Sequence, residues 1–260
     1  MITASDARSF EGNSNVVAWQ AGTDCLKPDV CAVAALQDDH SYRLADLLIP
    51  NHYNGTLQEV LVPGGLIQDR VRKLARDIRA DYGCTTIHLV CVLKGGSAFF
   101  QDLLRCLRYF HEFNDESYVP FTYDFIRVKS YVGTQSMDVK ITGGDLKRMA
   151  GKHVLLVEDI IDTGKSMRAL LPVLRKEGPK SLKVASLLEK RTERSCGFKA
   201  HYVGFSIPDK FVVGYCIDYD EHFRDMTHLC VVNQEGIERY RSISAAEEHA
   251  AMAAVGDSAA

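Results

Sequence analysis

The stretch VLLVEDIIDTGKSM, residues 154–167, decides the fold of this chain. Its aliphatic start is typical of a strand that is covered on both faces of a sheet. The adjacent carboxylates Glu158 and Asp159 follow that strand, and Asp162 to Ser166 then lead into a helix predicted for residues 165–177. This junction is the candidate site, because ligands of parallel sheets bind beyond the carboxyl ends of the strands.

The succession of strand and helix repeats along the chain. Residues 67–82 carry apolar side chains three and four positions apart, which predicts an amphipathic helix, and Gly83 suits its end. Apolar runs predict further strands at residues 87–93, 121–128, 182–188, 202–207, 211–217 and 229–232. Such alternation predicts an α/β fold with a mostly parallel sheet. The polar segment 129–147 has little apolar periodicity and is expected to be a lid or a disordered loop.

Composition excludes several classes of protein. The chain has 260 residues, of which 46% are hydrophobic and 25% charged, as in one large or two small globular domains. Its net charge of −3 provides no basic field, so no nucleic-acid partner is expected. We expect neither a membrane span nor a secretory signal, since no apolar run is long enough. The eight cysteines lack the spacing of zinc or redox motifs, and a cytoplasmic location is expected.

Three carboxylates beside a predicted helix start need an explanation. If Asp162 only caps the helix, Glu158 and Asp159 remain unexplained. The turn itself presents backbone N–H groups to an anion. Because Glu158 and Asp159 would repel a phosphate, we expect a hydroxylated sugar, a divalent cation or both beside it. The phosphate loop of nucleoside triphosphatases is rejected, because that motif requires Gly where Asp159 stands.

The stretch VEDIIDTGKSM resembles the phosphoribosyl-diphosphate signature of the type I phosphoribosyltransferases. Further segments resemble the hypoxanthine-guanine phosphoribosyltransferases of the animal type: LVPGGLIQDRVRKLARD (61–77), CVLKGGSAFF (91–100), FIRVKSY (125–131), VASLLEKRTER (184–194) and PDKFVVGYCIDYDEHFRD (208–225). The resemblance implies the type I phosphoribosyltransferase fold, a mostly parallel twisted sheet flanked by helices. A small hood formed by the terminal segments of the core and a flexible active-site loop complete that fold.

The resemblance implies roles for the signature residues. Glu158 and Asp159 would hold the ribose 2′- and 3′-hydroxyls and support a first Mg²⁺ ion. Asp162 would lie near purine N7 as general base or hydrogen-bond acceptor, and would also stabilise oxocarbenium-like charge. The 5′-phosphate cradle would consist of Thr163, Gly164, Lys165 and Ser166. The family usually has Thr at the last of these positions, and both residues carry a hydroxyl.

Other segments receive roles in the same way. Pyrophosphate would contact Lys94, Gly95, Gly96 and Arg224, and the peptide bond before Lys94 is often cis in the family. The mobile loop would begin with Arg127, Lys129, Ser130 and Tyr131.

At the purine end, Lys190 would donate a hydrogen bond to the 6-oxo group, which rejects the amino group of adenine. Phe211 would stack on the purine, and Val212 would offer backbone contacts to the edge of the base. Asp218 would support a second Mg²⁺ ion, while its backbone carbonyl would meet a 2-amino group.

The implied reaction is Mg²⁺-dependent transfer of 5-phosphoribosyl from its 1-diphosphate to N9 of hypoxanthine or guanine, giving IMP or GMP and pyrophosphate in purine salvage. A variant that also accepts xanthine and a non-catalytic purine-nucleotide-binding relative are the alternatives. The family implies a homodimer or homotetramer. We expect a poorly ordered or peripheral N-terminal arm (1–37), a phosphoribosyltransferase domain (38–240) and an Ala-rich C-terminal tail (241–260).

Overall fold

A computed structural model of the chain describes residues 33–113, 120–132, 137–241 and 243. Most of the predicted N-terminal arm, and nearly all of the predicted tail, therefore lie outside the described residues. Within them, the secondary structure runs, in chain order, as β1 (Ala34–Ala35), β2 (Leu57–Val62), α1 (Gly64–Tyr82), β3 (Ile87–Leu93), α2 (Ser97–Phe113), β4 (Phe121–Val132), β5 (Met137–Thr142), β6 (His153–Ile161), α3 (Lys165–Lys176), β7 (Ser181–Arg191), β8 (Tyr202–Pro208), β9 (Val212–Val213) and β10 (Leu229–Val232).

The main sheet has seven strands in the order β1-β8-β7-β6-β3-β4-β5. All neighbours run parallel except β4 and β5, which form an antiparallel pair. The predicted α/β fold with a mostly parallel sheet is thus confirmed. Strands β3, β6 and β7 lie next to one another, so their carboxyl ends meet at one edge of the sheet.

The core forms two layers because alternate side chains of each strand point to opposite faces. On one face, Leu89 and Cys91 of β3 and Leu155 and Val157 of β6 belong to the hydrophobic cluster that contains the apolar stripes of α1 and α2. On the other, the intervening residues of the same strands pack with Met167, Leu170, Leu171 and Leu174 of α3. Burial on both faces explains why these strands lack polar alternation.

A second, smaller sheet lies beside the main one. It contains the antiparallel strands in the order β2-β10-β9, and it joins a segment near the start of the domain to segments near its end. Its own core includes Tyr53, Val60, Phe223, Cys230 and Tyr240. This sheet corresponds to the hood that the resemblance implies.

The structure corrects two predictions. Residues 129–147 were expected to be a loop, but β4 continues to Val132 and pairs with β5, from Arg127 opposite Thr142 to Val132 opposite Met137. The backbone of residues 129–132 and 137–142 is therefore paired in an antiparallel ladder. The strand predicted at 211–217 is also too long. Only Val212–Val213 is a strand, because Gly214, Tyr215 and Cys216 have positive φ angles and turn the chain.

Two further features bear on the other predictions. Strand β1 pairs with β8 at the edge of the sheet, so the described fold begins a few residues before position 38. Among the described residues, no helix combines the length and apolar character that a membrane span needs.

Candidate active site

A cleft of about 320 Å³ opens at the carboxyl ends of β3 and β6. It gathers a large part of the predicted site in one place. Seven of the predicted residues line it: Gly95, Glu158, Asp159, Asp162, Thr163, Gly164 and Ser166. The chain brings them together because the turns after two adjacent parallel strands, β3 and β6, lie at the same edge.

The carboxylate pair lies at the end of β6. Glu158 is only 9% exposed, and its burial, together with the neighbouring charge of Asp159, raises its pKa well above the usual range. Asp159 Oδ1 accepts a hydrogen bond from the backbone N–H of Ile160 at 2.8 Å. A buried carboxylate of this kind is stabilised by hydroxyl donors or by a cation. The pair can therefore hold the hydroxyls of a sugar.

The turn after β3 approaches this pair closely. A Cβ atom on Gly95 would lie 1.7 Å from Asp159 Oδ2, so a side chain at this position and the observed Asp159 carboxylate are incompatible. At Gly96, an added Cβ would lie 2.7 Å from the carbonyl oxygen of Val92. The peptide bond between Leu93 and Lys94 is cis, as the resemblance implied.

The predicted phosphate cradle forms the start of α3. Gly164 has φ +75°, and a Cβ atom added to it would lie 2.9 Å from the Cβ atom of Phe198. Thr163 Oγ1 accepts a hydrogen bond from the N–H of Lys165 at 3.5 Å. The first turn of a helix leaves N–H groups without partners inside the helix, which favours an anion there. Ser166 lines the cleft, whereas the exposed Lys165 is not among the lining residues.

Asp162 lies between the cleft and two cations. Its Oδ1 atom is buried without a hydrogen-bond partner, 3.5 Å from Lys190 Nζ and 3.7 Å from Arg194 Nη2. The Lys190 side chain, at the end of β7, is only 8% exposed. Asp209 faces the same cations, at 3.8 Å from Lys190 Nζ and 3.3 Å from Arg194 Nη2. The Asp162 carboxylate thus has one oxygen facing these two cations, while the residue itself lines the cleft.

A second charged group surrounds the turn after β3. Lys94 Nζ lies 2.6 Å from Glu221 Oε2, and Arg224 Nη2 lies 2.8 Å from Asp218 Oδ1 and 3.2 Å from Glu221 Oε1. Hydrogen bonds from Lys94 and then Arg224 lower the pKa of Glu221 to about 2. Lys94, Arg224 and Asp218, which the resemblance assigns to pyrophosphate and a metal ion, therefore lie in one network.

The predicted purine-stacking residue is near this network. The Phe211 side chain is 46% exposed, and its ring meets Tyr219 edge-on at 5.4 Å. Val212 is buried in β9, with its backbone opposite Val231. An exposed aromatic face is suited to stacking against a planar base.

The residues predicted to begin the mobile loop lie in the β4–β5 hairpin. Arg127, Lys129, Ser130 and Tyr131 are opposite Thr142, Lys140, Val139 and Asp138 in the ladder. Val128 of the same strand lines the cleft, so the hairpin starts directly beside it.

Sequence reasoning did not assign roles to Arg194, Asp209 and Glu221. All three stand inside motifs that carry the resemblance, VASLLEKRTER and PDKFVVGYCIDYDEHFRD. Charged residues close to strand ends were the available signal, since Arg194 comes three residues after β7 and Asp209 directly after β8.

The carboxylates fit a Mg²⁺ ion only in part. In the described ranges, no three acidic, His or Cys side chains come close enough together to hold a metal. Mg²⁺ characteristically binds one or two carboxylates and completes its coordination with water and substrate phosphates. Glu158 and Asp159 therefore suit one Mg²⁺ ion, and Asp218 a second, each arriving with a phosphorylated substrate.

Comparison with known proteins gives a consistent result. A family model described as the phosphoribosyl transferase domain matches residues 58–220. The hypoxanthine-guanine phosphoribosyltransferases of Rattus norvegicus and Homo sapiens are 50% and 51% identical to this chain, over 81% of it and 97% of each relative. The crystal structure of the Schistosoma mansoni hypoxanthine-guanine phosphoribosyltransferase in complex with IMP matches with TM-score 0.68 and 34% identity, over 80% of this chain and 98% of that one.

Proposed function

This chain belongs to the phosphoribosyl transferase family, on its hypoxanthine-guanine branch, and we propose that it transfers 5-phosphoribosyl from 5-phosphoribosyl-1-diphosphate to N9 of hypoxanthine or guanine. The products are IMP or GMP and pyrophosphate, as in purine salvage. The observation that carries the proposal is the cleft itself, which combines the buried Glu158 and the partly exposed Asp159, a helix N-terminus and the Asp162 carboxylate beside Lys190.

The donor is bound by its ribose and its 5′-phosphate. Glu158 and Asp159 accept hydrogen bonds from the 2′- and 3′-hydroxyls. These bonds offset the desolvation of the buried Glu158 carboxyl. The start of α3, from Thr163 to Ser166, receives the 5′-phosphate through backbone N–H groups and hydroxyls. These contacts fix C1′ at the mouth of the cleft, where it faces the acceptor base.

The leaving diphosphate is bound on the other side of the ribose. Gly95 and Gly96 let the chain approach it without side chains, while Lys94 and Arg224 supply positive charge. Glu158, Asp159 and Asp218 would support Mg²⁺, which supplies charge neutralisation for the diphosphate.

The acceptor purine is oriented by Lys190, Phe211, Val212 and Asp218. As the C1′–O bond to diphosphate breaks and the C1′–N9 bond forms, Asp162 accepts a proton or a hydrogen bond near N7. Its negative charge also stabilises the oxocarbenium-like carbon. Lys190 donates to the 6-oxo group, and because an ammonium group only donates, adenine is rejected.

The β4–β5 hairpin is proposed to cover the site, with Arg127, Lys129, Ser130 and Tyr131 along its first strand. A reactive C1′ centre must be protected from water, or the donor is hydrolysed. The position of Val128 in the wall of the cleft supports this role.

The remaining predictions are part of the same proposal. The catalytic domain spans about residues 38–240 and also includes strand β1, with an arm before it and a tail after it. The protein acts as a homodimer or homotetramer, which sedimentation tests. A cytoplasmic location is supported by the free thiols of all six cysteines in the described part of the chain.

The function is tested by mixing the purified protein with Mg²⁺, the donor and one base at a time. We expect IMP from hypoxanthine, GMP from guanine and no product from adenine. Xanthine belongs in the same panel, because a product from it identifies the xanthine-accepting variant. If neither hypoxanthine nor guanine gives a nucleotide while IMP still binds, the protein is a non-catalytic relative and the proposal is wrong.

A further inference from the structure

One carboxylate, Glu221, neutralises both cations of the proposed diphosphate site. Its Oε2 atom lies 2.6 Å from Lys94 Nζ and 3.4 Å from Arg224 Nε, and its Oε1 atom lies 3.2 Å from Arg224 Nη2. Two oxygens of one group thus occupy the donors of two separate cations. A bound diphosphate would likewise place its oxygens between the lysine and the arginine.

Arg224 does not need Glu221 to keep its position. Its Nη1 donates to the carbonyl oxygen of Cys216 at 2.7 Å, and its Nη2 lies 2.8 Å from Asp218 Oδ1. These two partners hold the guanidinium group independently of Glu221. Glu221 therefore adds charge compensation to a side chain that is already anchored.

The backbone holds Glu221 in this place while its side chain stays accessible. Asp220, Glu221 and Phe223 have positive φ angles, and the N–H of Glu221 donates to Asp218 Oδ2 at 2.9 Å. The Glu221 side chain is 62% exposed. An exposed side chain on a fixed turn can swing away from its partners without disturbing the core.

The charge balance of the cluster determines what happens on binding. Lys94 and Arg224 bring two positive charges, and Asp218 and Glu221 bring two negative ones. A diphosphate entering this neutral cluster would be repelled by Glu221 at close range, because like charges in contact are unfavourable. It can bind to both cations only when Glu221 leaves them.

We propose that Glu221 is an internal counter-ion that occupies the diphosphate site in the empty enzyme, competes with diphosphate for Lys94 and Arg224, and assists the departure of pyrophosphate. This inference rests on the proposed function, because it takes Lys94 and Arg224 as the diphosphate cations. It makes Glu221 a positioning residue, which acts through those two side chains.

The test is the variant Glu221→Gln, with Glu177→Gln as a control of equal charge change at the far end of α3. Binding of pyrophosphate with Mg²⁺ is measured by calorimetry. Because exposed ion pairs are individually weak, we expect the dissociation constant of Glu221→Gln to fall by about three- to tenfold. The control should match the wild type, and the difference should shrink in high salt.

Steady-state kinetics supply a second readout. Inhibition by pyrophosphate should strengthen in Glu221→Gln by the same factor, and the KM for the donor should fall. A merely structural role predicts the opposite, since loosened cations would bind pyrophosphate more weakly. Unchanged or weaker pyrophosphate binding in both Glu221→Gln and Glu221→Ala, with unchanged melting temperatures, overturns the inference.

Lys94→Ala separates this inference from the proposed function. If Lys94 binds diphosphate, this variant loses pyrophosphate affinity whatever Glu221 does. Wild-type protein that binds no pyrophosphate, or a Lys94→Ala variant that binds it normally, contradicts the assignment of the site and with it the inference. Normal loss in Lys94→Ala without a gain in Glu221→Gln contradicts the inference alone.

Discussion

Gly95→Ala should damage the active site and spare the fold. The added Cβ would lie 1.7 Å from Asp159 Oδ2 and 2.7 Å from its Cγ, so the carboxylate must move. Asp159 is short and partly exposed, and it can rotate away at small cost to stability. A displacement of about 1 Å in a positioning group costs roughly 100-fold in rate, or about 2.7 kcal/mol in the activation free energy.

Two other glycines provide matched comparisons. Gly65, in the first turn of α1, has open space around an added Cβ, so Gly65→Ala should leave activity unchanged. At Gly96 the added Cβ would meet the backbone oxygens of Val92 and Val157, at 2.7 and 3.2 Å. Because backbone atoms cannot rotate away, Gly96→Ala should lower the unfolding free energy by about 1–3 kcal/mol.

The assay combines kcat/KM for donor and hypoxanthine with a thermal melt of each variant. We expect Gly95→Ala to lose activity with a melting temperature close to that of the wild type. The reasoning is refuted if Gly95→Ala keeps activity within about twofold of the wild type, or if its melting temperature falls as far as that of Gly96→Ala.

Two further predictions concern the base site and acid stability. Lys190→Met should lower kcat/KM for hypoxanthine and guanine by about 10- to 100-fold, because it removes a charged hydrogen bond to the base. The affinity for the donor should stay unchanged. An equal loss of donor affinity would contradict the assignment of Lys190 to the base. Burial lowers the pKa of His228, whose Nδ1 accepts a hydrogen bond from Gly64 N–H at 2.9 Å. Its contribution to stability is complete above the unfolded pKa of about 6.5 and is lost as the pH falls through the folded value. His228→Asn keeps an acceptor without this titration, so the fall in melting temperature below about pH 6.5 should become shallower, and an unchanged slope would contradict this reading.

The buried strands were the most predictable part of the fold. Strand β3 was predicted with its observed bounds, and α1 and α3 were predicted to within a few residues, because burial leaves an unbroken apolar run or a clear helical stripe. Strand β5 was missed, although Met137, Val139 and Ile141 alternate with polar residues in MDVKIT. The many polar residues around this short alternation concealed it, and its pairing with β4 comes from the hairpin as a whole.

The small sheet was less predictable, since its strands are distant in sequence. Strand β2 pairs with β10 across much of the chain, and neither has a local signal of that partnership. The turn after β9 depends on non-glycine residues with positive φ, Tyr215 and Cys216, which no composition rule suggests.

The predicted site residues came from motifs, and the structure adds the distances between motifs. The sequence places Asp162 and Lys190 in separate segments, and only the parallel pairing of β6 with β7 brings them to 3.5 Å. In the same way, Glu221 gained a role only when the fold placed it against Lys94. Pairwise geometry of this kind depends on tertiary packing, which a local pattern does not encode.

The central claim is that Asp162 supports phosphoribosyl transfer in a cleft that binds the donor through other residues. The most direct measurement compares single-turnover IMP formation and donor affinity in the wild type and in Asp162→Asn, with the exposed Asp69→Asn as control. We predict that Asp162→Asn loses about 100-fold or more in rate, as expected for a general base, while its donor dissociation constant stays within about threefold of the wild type. Turnover at the wild-type rate in Asp162→Asn would contradict the account.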